Sequence, residues 1–388
     1  MSAYGSGAVQ AGPMRTALLY LPQLKVGGAE ISLLRLAQGL RTRGMQVAFA
    51  VHRRDAEATA LAGDIEVISL GAERTLAAAS RLAGVLRRRR PDVLVSALTH
   101  SNIVAALAAR WAGANTRVVL TEHAPVSSMR RLDPSARYRA TLRLMPWAYR
   151  LADAVVAVSQ GVRDDFAPRL AARTRSRLEV IPNPVLRRDW NSLAHEPVDD
   201  PWFGTDAAAL VLSVGRLSPE KNFAGLIRAF AGVRMPMQTR LAIVGEGPER
   251  PALQALIGEL GLDQRVRLLG QRANPYAYMR RARVFVLASL FEGFGNVLIE
   301  AMACGTPVIS SDCPVGPREI LGDGRYGDLV AVGDVSAMTA AIEQRLQHPG
   351  DQAEATRRAL EFTVERSVEE YLELFARIAL ARPARDAA

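Results

Sequence analysis

Short apolar runs alternate along the chain with longer stretches whose apolar residues recur every three or four positions. The runs at 15–21, 46–51, 65–70, 92–98, 117–121 and 154–159 read as strands, and the stretches between them have helical spacing. The first of these, 29–43, carries Ile31, Leu34 and Leu40 on one face with Gly44 just beyond, so strand, glycine-containing loop and helix form the opening unit. At Asn183-Pro184 the pattern breaks into a polar segment with Pro182, Pro184, Pro197 and Pro201. A second alternating series follows, with strands expected at 209–214, 241–244, 265–269, 284–288 and 307–310. Alternation of this kind predicts parallel sheets covered by helices, so the expected fold class is α/β with two doubly wound domains. The expected division is 1–185, a linker at 186–205, a second domain at 206–366, and a last segment, 367–388, whose helix at 368–380 is free to cross back to the first domain. Residues 1–13, rich in Gly, Ala and Ser, read as a loose tail.

Sheets of this type bind ligands outside the carboxyl ends of their strands, so two of them facing each other make an interdomain cleft, and functional residues belong just after strands. The length of 388 residues agrees with two or three domains. A composition of 49% hydrophobic and 23% charged residues excludes a disordered, collagen-like or coiled-coil chain. Cys304 and Cys313, the only cysteines, are too few for a disulfide scaffold or a cysteine-built zinc site, which points to a reducing compartment. No apolar run approaches the roughly 18 residues that span a bilayer, and the start of the chain lacks a basic region followed by a long apolar stretch. The expected location is cytoplasmic, with the inner face of the cytoplasmic membrane as a peripheral site. Lys and Arg number 49 against 39 Asp and Glu, a net charge of +10, which calls for an anionic partner: nucleic acid, a lipid surface or a phosphorylated substrate.

Two segments carry the candidate chemistry. After the strand at 209–214 come Gly215, Arg216 and Lys221, two cations flanking an expected helix start at Pro219, an arrangement suited to a diphosphate. A solvated loop with surface cations is the bland alternative. After the strand at 284–288 comes Ser289-Leu-Phe-Glu292-Gly293-Phe294-Gly295-Asn296-Val297-Leu-Ile-Glu300, with a helix expected from about Asn296. Its glycines let backbone N–H groups approach an anion, and its two carboxylates, one on the loop and one on the helix, can address a ligand with many hydroxyls. A sugar nucleotide fits that description, and an ordinary strand-loop-helix connection, with Glu300 favoured by the helix dipole, is the alternative.

The stretch from Glu292 through Glu300 to Cys304-Gly-Thr-Pro307 resembles the Glu-x7-Glu signature of retaining glycosyltransferases of family 4, which have the GT-B fold of two Rossmann-like domains. Arg216 and Lys221, the Val244-Gly245-Glu-Gly-Pro248 turn and the Gly27-Gly28-Ala-Glu30 loop stand where that family has them. The resemblance implies that Arg216 and Lys221 hold the donor diphosphate, that Glu300 takes the ribose hydroxyls and Glu292 the transferred hexose, and that Gly27 and Gly28 let the first-domain loop close on the phosphates. It further implies donor contacts from Gly245, Gly293, Phe294, Gly295, Asn296 and Val297. His123, in Thr-Glu-His, matches the family's active-site histidine, and His100 follows a strand with a looser match. The chain departs from the family pattern at Asn183-Pro184, where Asn-Gly is usual, and at Val315-Gly316-Pro317-Arg318-Glu319, where Gly-Gly-x-x-Glu is usual, which leaves sugar selectivity open. The wording at 312–321 is similar to a subset that builds cell-surface polysaccharides and lipid-linked oligosaccharides.

The expected activity is transfer of a hexose or N-acetylhexosamine, with retention, from a nucleotide diphosphate donor, UDP-linked by expectation, to a hydroxyl of a glycan or polyprenyl-diphosphate-linked acceptor. No cofactor and no metal are expected, because Asp and Glu are scattered around the two histidines. A same-fold sugar-nucleotide 2-epimerase or a phosphorylase-like enzyme would need further carboxylates and histidines, or a lysine for pyridoxal phosphate. A nucleic-acid-binding protein would explain the charge and Arg87 to Arg90, but no aromatic residues are interleaved with those arginines. Between 129 and 150 the cations Arg130, Arg131, Arg137, Arg139, Arg143 and Arg150 face one acid, Asp133. A helix at 134–145 would align Tyr138, Leu142 and Met145, which suits either an anionic membrane or acceptor on an interfacial helix, or a helix packed on the first domain with its arginines solvated.

Overall fold

The structure, a computed structural model, describes residues 14–381 apart from 26, 73, 205–208 and 236. The tail expected at 1–13 lies outside the described residues, as does 382–388. Among the described residues the first sheet has seven parallel strands, β1 (Thr16–Tyr20), β2 (Gln46–Val51), β3 (Glu66–Ser69), β4 (Val93–Ala97), β5 (Arg117–Glu122), β6 (Ala154–Ala157) and β7 (Leu178–Val180), in the order β3-β2-β1-β4-β5-β6-β7. The second has six, β8 (Ala209–Val214), β9 (Thr239–Val244), β10 (Val266–Gly270), β11 (Val284–Leu287), β12 (Val308–Ser311) and β13 (Asp328–Val330), in the order β10-β9-β8-β11-β12-β13. Both are doubly wound, with the order reversing at β1/β4 and at β8/β11, where ligands of such sheets bind. Central strands such as β4 and β11 are buried at every position, which is why they read as unbroken apolar runs. The edge strands β7 and β13 were not expected. Each is three residues long and carries an acid, Glu179 or Asp328, so no apolar run announces it.

The helix Val364–Leu380 lies on the first domain. Val368, Tyr371, Leu374, Phe375 and Ile378 join Leu33, Leu36 and Leu40 of the helix Gly28–Thr42 in one core. A Cβ at Gly39 would lie 2.4 Å from Val368, so the missing side chain sets how closely these helices approach. The polar segment after Asn183 is not a free tether. Val185 and Leu186 donate their N–H groups to the carbonyl of Phe362 at 3.2 and 2.9 Å. A short helix forms at Trp190–His195, and Trp202 and Phe203 are buried, with Arg240 and Arg267 over the Trp202 ring. No helix among the described residues is long and apolar enough to cross a membrane.

Candidate active site

On the second-domain side, Lys221 and Glu292 meet directly, Nζ to Oε1 at 2.6 Å, and Ser289 Oγ donates to the same oxygen at 2.7 Å. Glu292 is buried, and the N–H of Leu290 bonds the carbonyl of Glu220, tying the two loops together. The cations do not flank a helix start as expected. Pro219–Lys221 is a single 3-10 turn, and the helix begins at Phe223 with Asn222 capping it through the N–H of Gly225. Arg216 is exposed, and its charge offsets part of the rise that burial imposes on the Glu30 carboxyl across the seam. Gly245 serves the protein's own backbone: a Cβ there would lie 1.8 Å from the carbonyl oxygen of Gly215, so the turn after β9 presses on the loop that carries Arg216.

The helix Asn296–Ala303 starts after Gly295, whose φ of 107 suits glycine. Glu300 is not a dipole-favoured surface acid. It is 5% exposed, with Oε1 accepting from Arg35 Nη2 at 2.8 Å and from Tyr276 OH at 3.2 Å. The ring of Phe294 belongs to the core, edge-on to Phe362, so only its backbone can face a ligand; Val297 is half-buried against the same core. Gly293 also differs from expectation, since a Cβ there would lie 1.7 Å from the carbonyl oxygen of His123. It lets the two domains touch. Gly28 meets nothing within 4 Å at its Cβ position, which leaves open space at the start of the helix Gly28–Thr42, whereas at Gly27 a Cβ would meet the Glu30 carboxylate.

On the first-domain side, His123 follows β5 directly. Thr121 Oγ1 donates its one proton to the carbonyl of Ser96 at 2.9 Å, so it accepts from His123 Nε2, also at 2.9 Å. The ring proton is thereby assigned to Nε2. Nδ1 is then a buried acceptor with no partner among the described residues. Burial pushes the imidazole down to about 4, so it is neutral at pH 7. Glu122, one residue earlier, was not anticipated. Fully buried, it accepts from Tyr149, from Thr99 at 3.0 Å and from Asn102 at 3.2 Å, and burial pushes it up to about 7 against those three donors.

His100 keeps much of its surface in solvent, and partial desolvation, with the nearby charges of His52 and Arg137, lowers its pKa. His52 bonds Tyr20 OH at 2.8 Å, so the ends of β1, β2 and β4 gather a group of histidines beside an arginine. A cavity of about 370 Å³ beside it, lined by Arg53, Arg74 and Arg81, opens at the ends of β2 and β3 rather than between Lys221 and Glu300. The helix expected at 134–145 is Ala136–Tyr149, capped by Ser135. Its stripe is not interfacial: Leu142, Met145 and Tyr149 are buried in the first domain's core, and Tyr138 is half-buried against it. Arg130, Arg131, Arg137 and Arg139 stay exposed, and Leu144 and Trp147 face outward.

The two edges meet along a polar seam. Asn183 Nδ2 donates to Asn296 Oδ1 at 3.1 Å, Ser159 Oγ donates to the carbonyl of Gly293 at 3.0 Å, and Glu319 accepts from the N–H of Gln160 at 2.9 Å. The two stretches that depart from the family wording, at Asn183 and Glu319, thus both bridge the domains. Arg35, Ser32, Glu122 and Tyr276 are absent from the sequence reading. Arg35 alone left a signal, as a cation set directly between Leu34 and Leu36. Among the described residues no group of three or more His, Cys, Asp or Glu is placed to hold a metal ion.

Comparison with known proteins agrees with this architecture. HepE of Anabaena, solved with UDP and glucose, superposes with a TM-score of 0.76 at 23% identity, over 92% of this chain and 98% of that one. A Campylobacter jejuni protein described as N-acetylgalactosamine-N,N'-diacetylbacillosaminyl-diphospho-undecaprenol 4-alpha-N-acetylgalactosaminyltransferase is 35% identical over 242 residues, 62% of this chain and 64% of that protein's length. The lipopolysaccharide core biosynthesis glycosyltransferase LpsE of Rhizobium meliloti is 28% identical over 325 residues, 82% of this chain and 86% of that one. Family models match both halves, Glycosyltransferase Family 4 at residues 26–186 and Glycosyl transferases group 1 at 204–362. With the two models covering most of its length and the two facing sheets of the GT-B fold, the chain belongs to the family 4 and group 1 glycosyltransferases.

Proposed function

We propose that the protein transfers a hexose or N-acetylhexosamine from a UDP-linked donor to a hydroxyl of a glycan or lipid-linked acceptor, with retention of anomeric configuration. The observation that carries this reading is the Lys221–Glu292 pair at 2.6 Å beside the exposed Arg216, at the β8/β11 switch point and on the loop that leads into the helix start at Asn296. Here two cations meet the diphosphate while two buried carboxylates, Glu292 and Glu300, remain for sugar and ribose hydroxyls. The bond from the anomeric carbon to the phosphate oxygen breaks, and negative charge grows on the diphosphate. Arg216 and Lys221 contribute most at that moment, because they bind the leaving group more strongly than the intact donor. The acceptor oxygen attacks from the same face, and its proton passes to the departing phosphate oxygen. His123, neutral and with Nδ1 free to accept, holds a sugar hydroxyl rather than moving a proton. The open space at Gly28 admits the phosphates against the helix start there. No cofactor or metal is part of this proposal.

The arginine-lined cavity at Arg53, Arg74 and Arg81, with Arg137 near His100, supports an acceptor that carries an anionic group. The exposed Arg130, Arg131 and Arg139 and the outward Leu144 and Trp147 support an anionic membrane face as the source of such an acceptor. The names of the Campylobacter and Rhizobium relatives point the same way. The test is a panel of sugar nucleotides incubated with the protein in excess chelator, followed by proton NMR of the sugar released or transferred. The reading predicts turnover of a UDP-sugar with the α-anomer appearing first from an α-linked donor. First appearance of the β-anomer, or turnover only after magnesium is restored, would overturn retention or the metal-free clamp respectively.

A further inference from the structure

The donor helix is gripped from the other domain. Along the first-domain helix Gly28–Thr42, Ser32 and Arg35 stand one turn apart and face the seam. Along the second-domain helix Asn296–Ala303, Asn296 and Glu300 also stand one turn apart and answer them. Asn296 Nδ2 donates to Ser32 Oγ at 3.3 Å, and Arg35 Nη2 donates to Glu300 Oε1 at 2.8 Å. Arg35 Nη1 bonds the carbonyl of Val185 at 2.6 Å, which anchors the guanidinium at the chain crossing between the domains. Tyr276 OH adds a second donor to Glu300 Oε1 at 3.2 Å. Among the described residues nothing pairs with Oε2. The side chains of Arg35 and Glu300 are 11% and 7% exposed. An ion pair this deep is weak as a stabilising device, because the desolvation of both charges consumes most of the Coulombic gain and apolar replacements are often neutral.

We propose that Arg35 is a positioning residue for the donor site: it holds Glu300 by one carboxylate oxygen so that the other is presented to a ribose hydroxyl of the nucleotide. Because Arg35 stands on the first domain and Glu300 on the second, donor recognition is complete only while the domains keep this seam. A ligand that touches second-domain residues is then sensitive to a first-domain substitution outside the glycine loop. The inference rests on the assignment of Glu300 to the nucleotide sugar.

UDP and 2′-deoxy-UDP, titrated by calorimetry into the full chain, separate the two ideas. Glu300→Gln lowers UDP affinity about tenfold and abolishes the preference for UDP over 2′-deoxy-UDP. Arg35→Met does the same and raises the donor KM with little change in the acceptor KM, and Arg35→Lys, which keeps the charge but loses the fork, recovers part of the preference. The double variant Arg35→Met with Glu300→Gln leaves no buried unpaired charge, so it folds even if Arg35→Met does not, and it is no worse than Glu300→Gln alone. An Arg35→Met protein that keeps the wild-type preference while Glu300→Gln loses it overturns the role of Arg35. If Arg35→Met does not fold, a double variant that binds UDP tenfold more weakly than Glu300→Gln does so as well. A Glu300→Gln protein with unchanged UDP affinity and preference overturns instead the assignment of Glu300 to the donor.

Discussion

The two edges that face each other across the seam hold their acids in opposite ways. In the second domain each buried carboxylate meets a cation, Glu292 with Lys221 at 2.6 Å and Glu300 with Arg35 at 2.8 Å. In the first domain Glu122 meets none: hydroxyl and amide donors surround it and burial pushes it up to about 7, while burial pushes the neighbouring His123 down to about 4. One edge is arranged around charge, and on the other burial shifts both titratable groups toward their neutral forms. A departing diphosphate needs the first arrangement. An incoming hydroxyl and an uncharged sugar need the second, where hydrogen bonds orient without a strong field.

Removing charge from the second edge has the largest expected effect. Lys221→Met should lower kcat by roughly 10²–10³-fold, the usual consequence of deleting one group that meets developing charge, with an unchanged circular dichroism spectrum. A kcat within a factor of two of wild type would separate Lys221 from the leaving group. A smaller loss, about tenfold, is expected for His123→Phe, which removes the hydrogen-bond acceptor at Nδ1. With its pKa near 4, His123 should leave no inflection near pH 6.5 in the rate profile, and a wild-type inflection there that vanishes in the variant would contradict the neutral assignment.

The neutrality of the first edge can be read from stability. Glu122 has a folded pKa raised to about 7, above the ordinary carboxyl value of 4.5, so its contribution is complete below about pH 4.5 and is lost as pH rises through 7. His123 has the opposite sign: its folded pKa is depressed to about 4 from 6.5, so its contribution is present above about pH 6.5 and is lost as pH falls toward 4. Melting curves from pH 5 to pH 8 should therefore show Glu122→Gln losing less stability than wild type on the alkaline side. Parallel curves would mean that Glu122 is ionised throughout. The smallest effect is expected outside the cleft. Since each basic residue near an anionic surface contributes about 1 kcal/mol, Arg137→Glu with Arg139→Glu should reduce sedimentation with anionic vesicles by several-fold and leave neutral vesicles unaffected. Equal recovery in all supernatants would assign those arginines to a soluble acceptor or to solvent.

The difference between the edges also explains what was legible in the sequence. The central strands, the doubly wound order and the second-domain loops could be read because apolar runs end in glycines and charges there, as at Gly215-Arg216 and Glu292-Gly293. The roles of individual residues were less legible, because burial and partners are long-range facts. Gly293 and Gly245 looked like openings for a ligand and instead meet the backbones of His123 and Gly215. Glu300 looked like a residue near a helix start and is paired with a residue 265 positions away. Glu122 sits at the end of a strand and is invisible until Thr99, Asn102 and Tyr149 close around it. The stripe of Tyr138, Leu142 and Met145 was read correctly as a stripe, but periodicity cannot tell a membrane from a neighbouring helix, and the helix Thr99–Ala112 takes that place.

Hydrogen–deuterium exchange of the full chain with and without UDP tests most directly that a nucleotide diphosphate sugar sits between these two edges. Slowed exchange is expected at residues 215–222 and 289–300 of the second domain together with 27–36 of the first. Protection confined to the first-domain cavity at Arg53, Arg74 and Arg81, or no protection at saturating UDP, would contradict it.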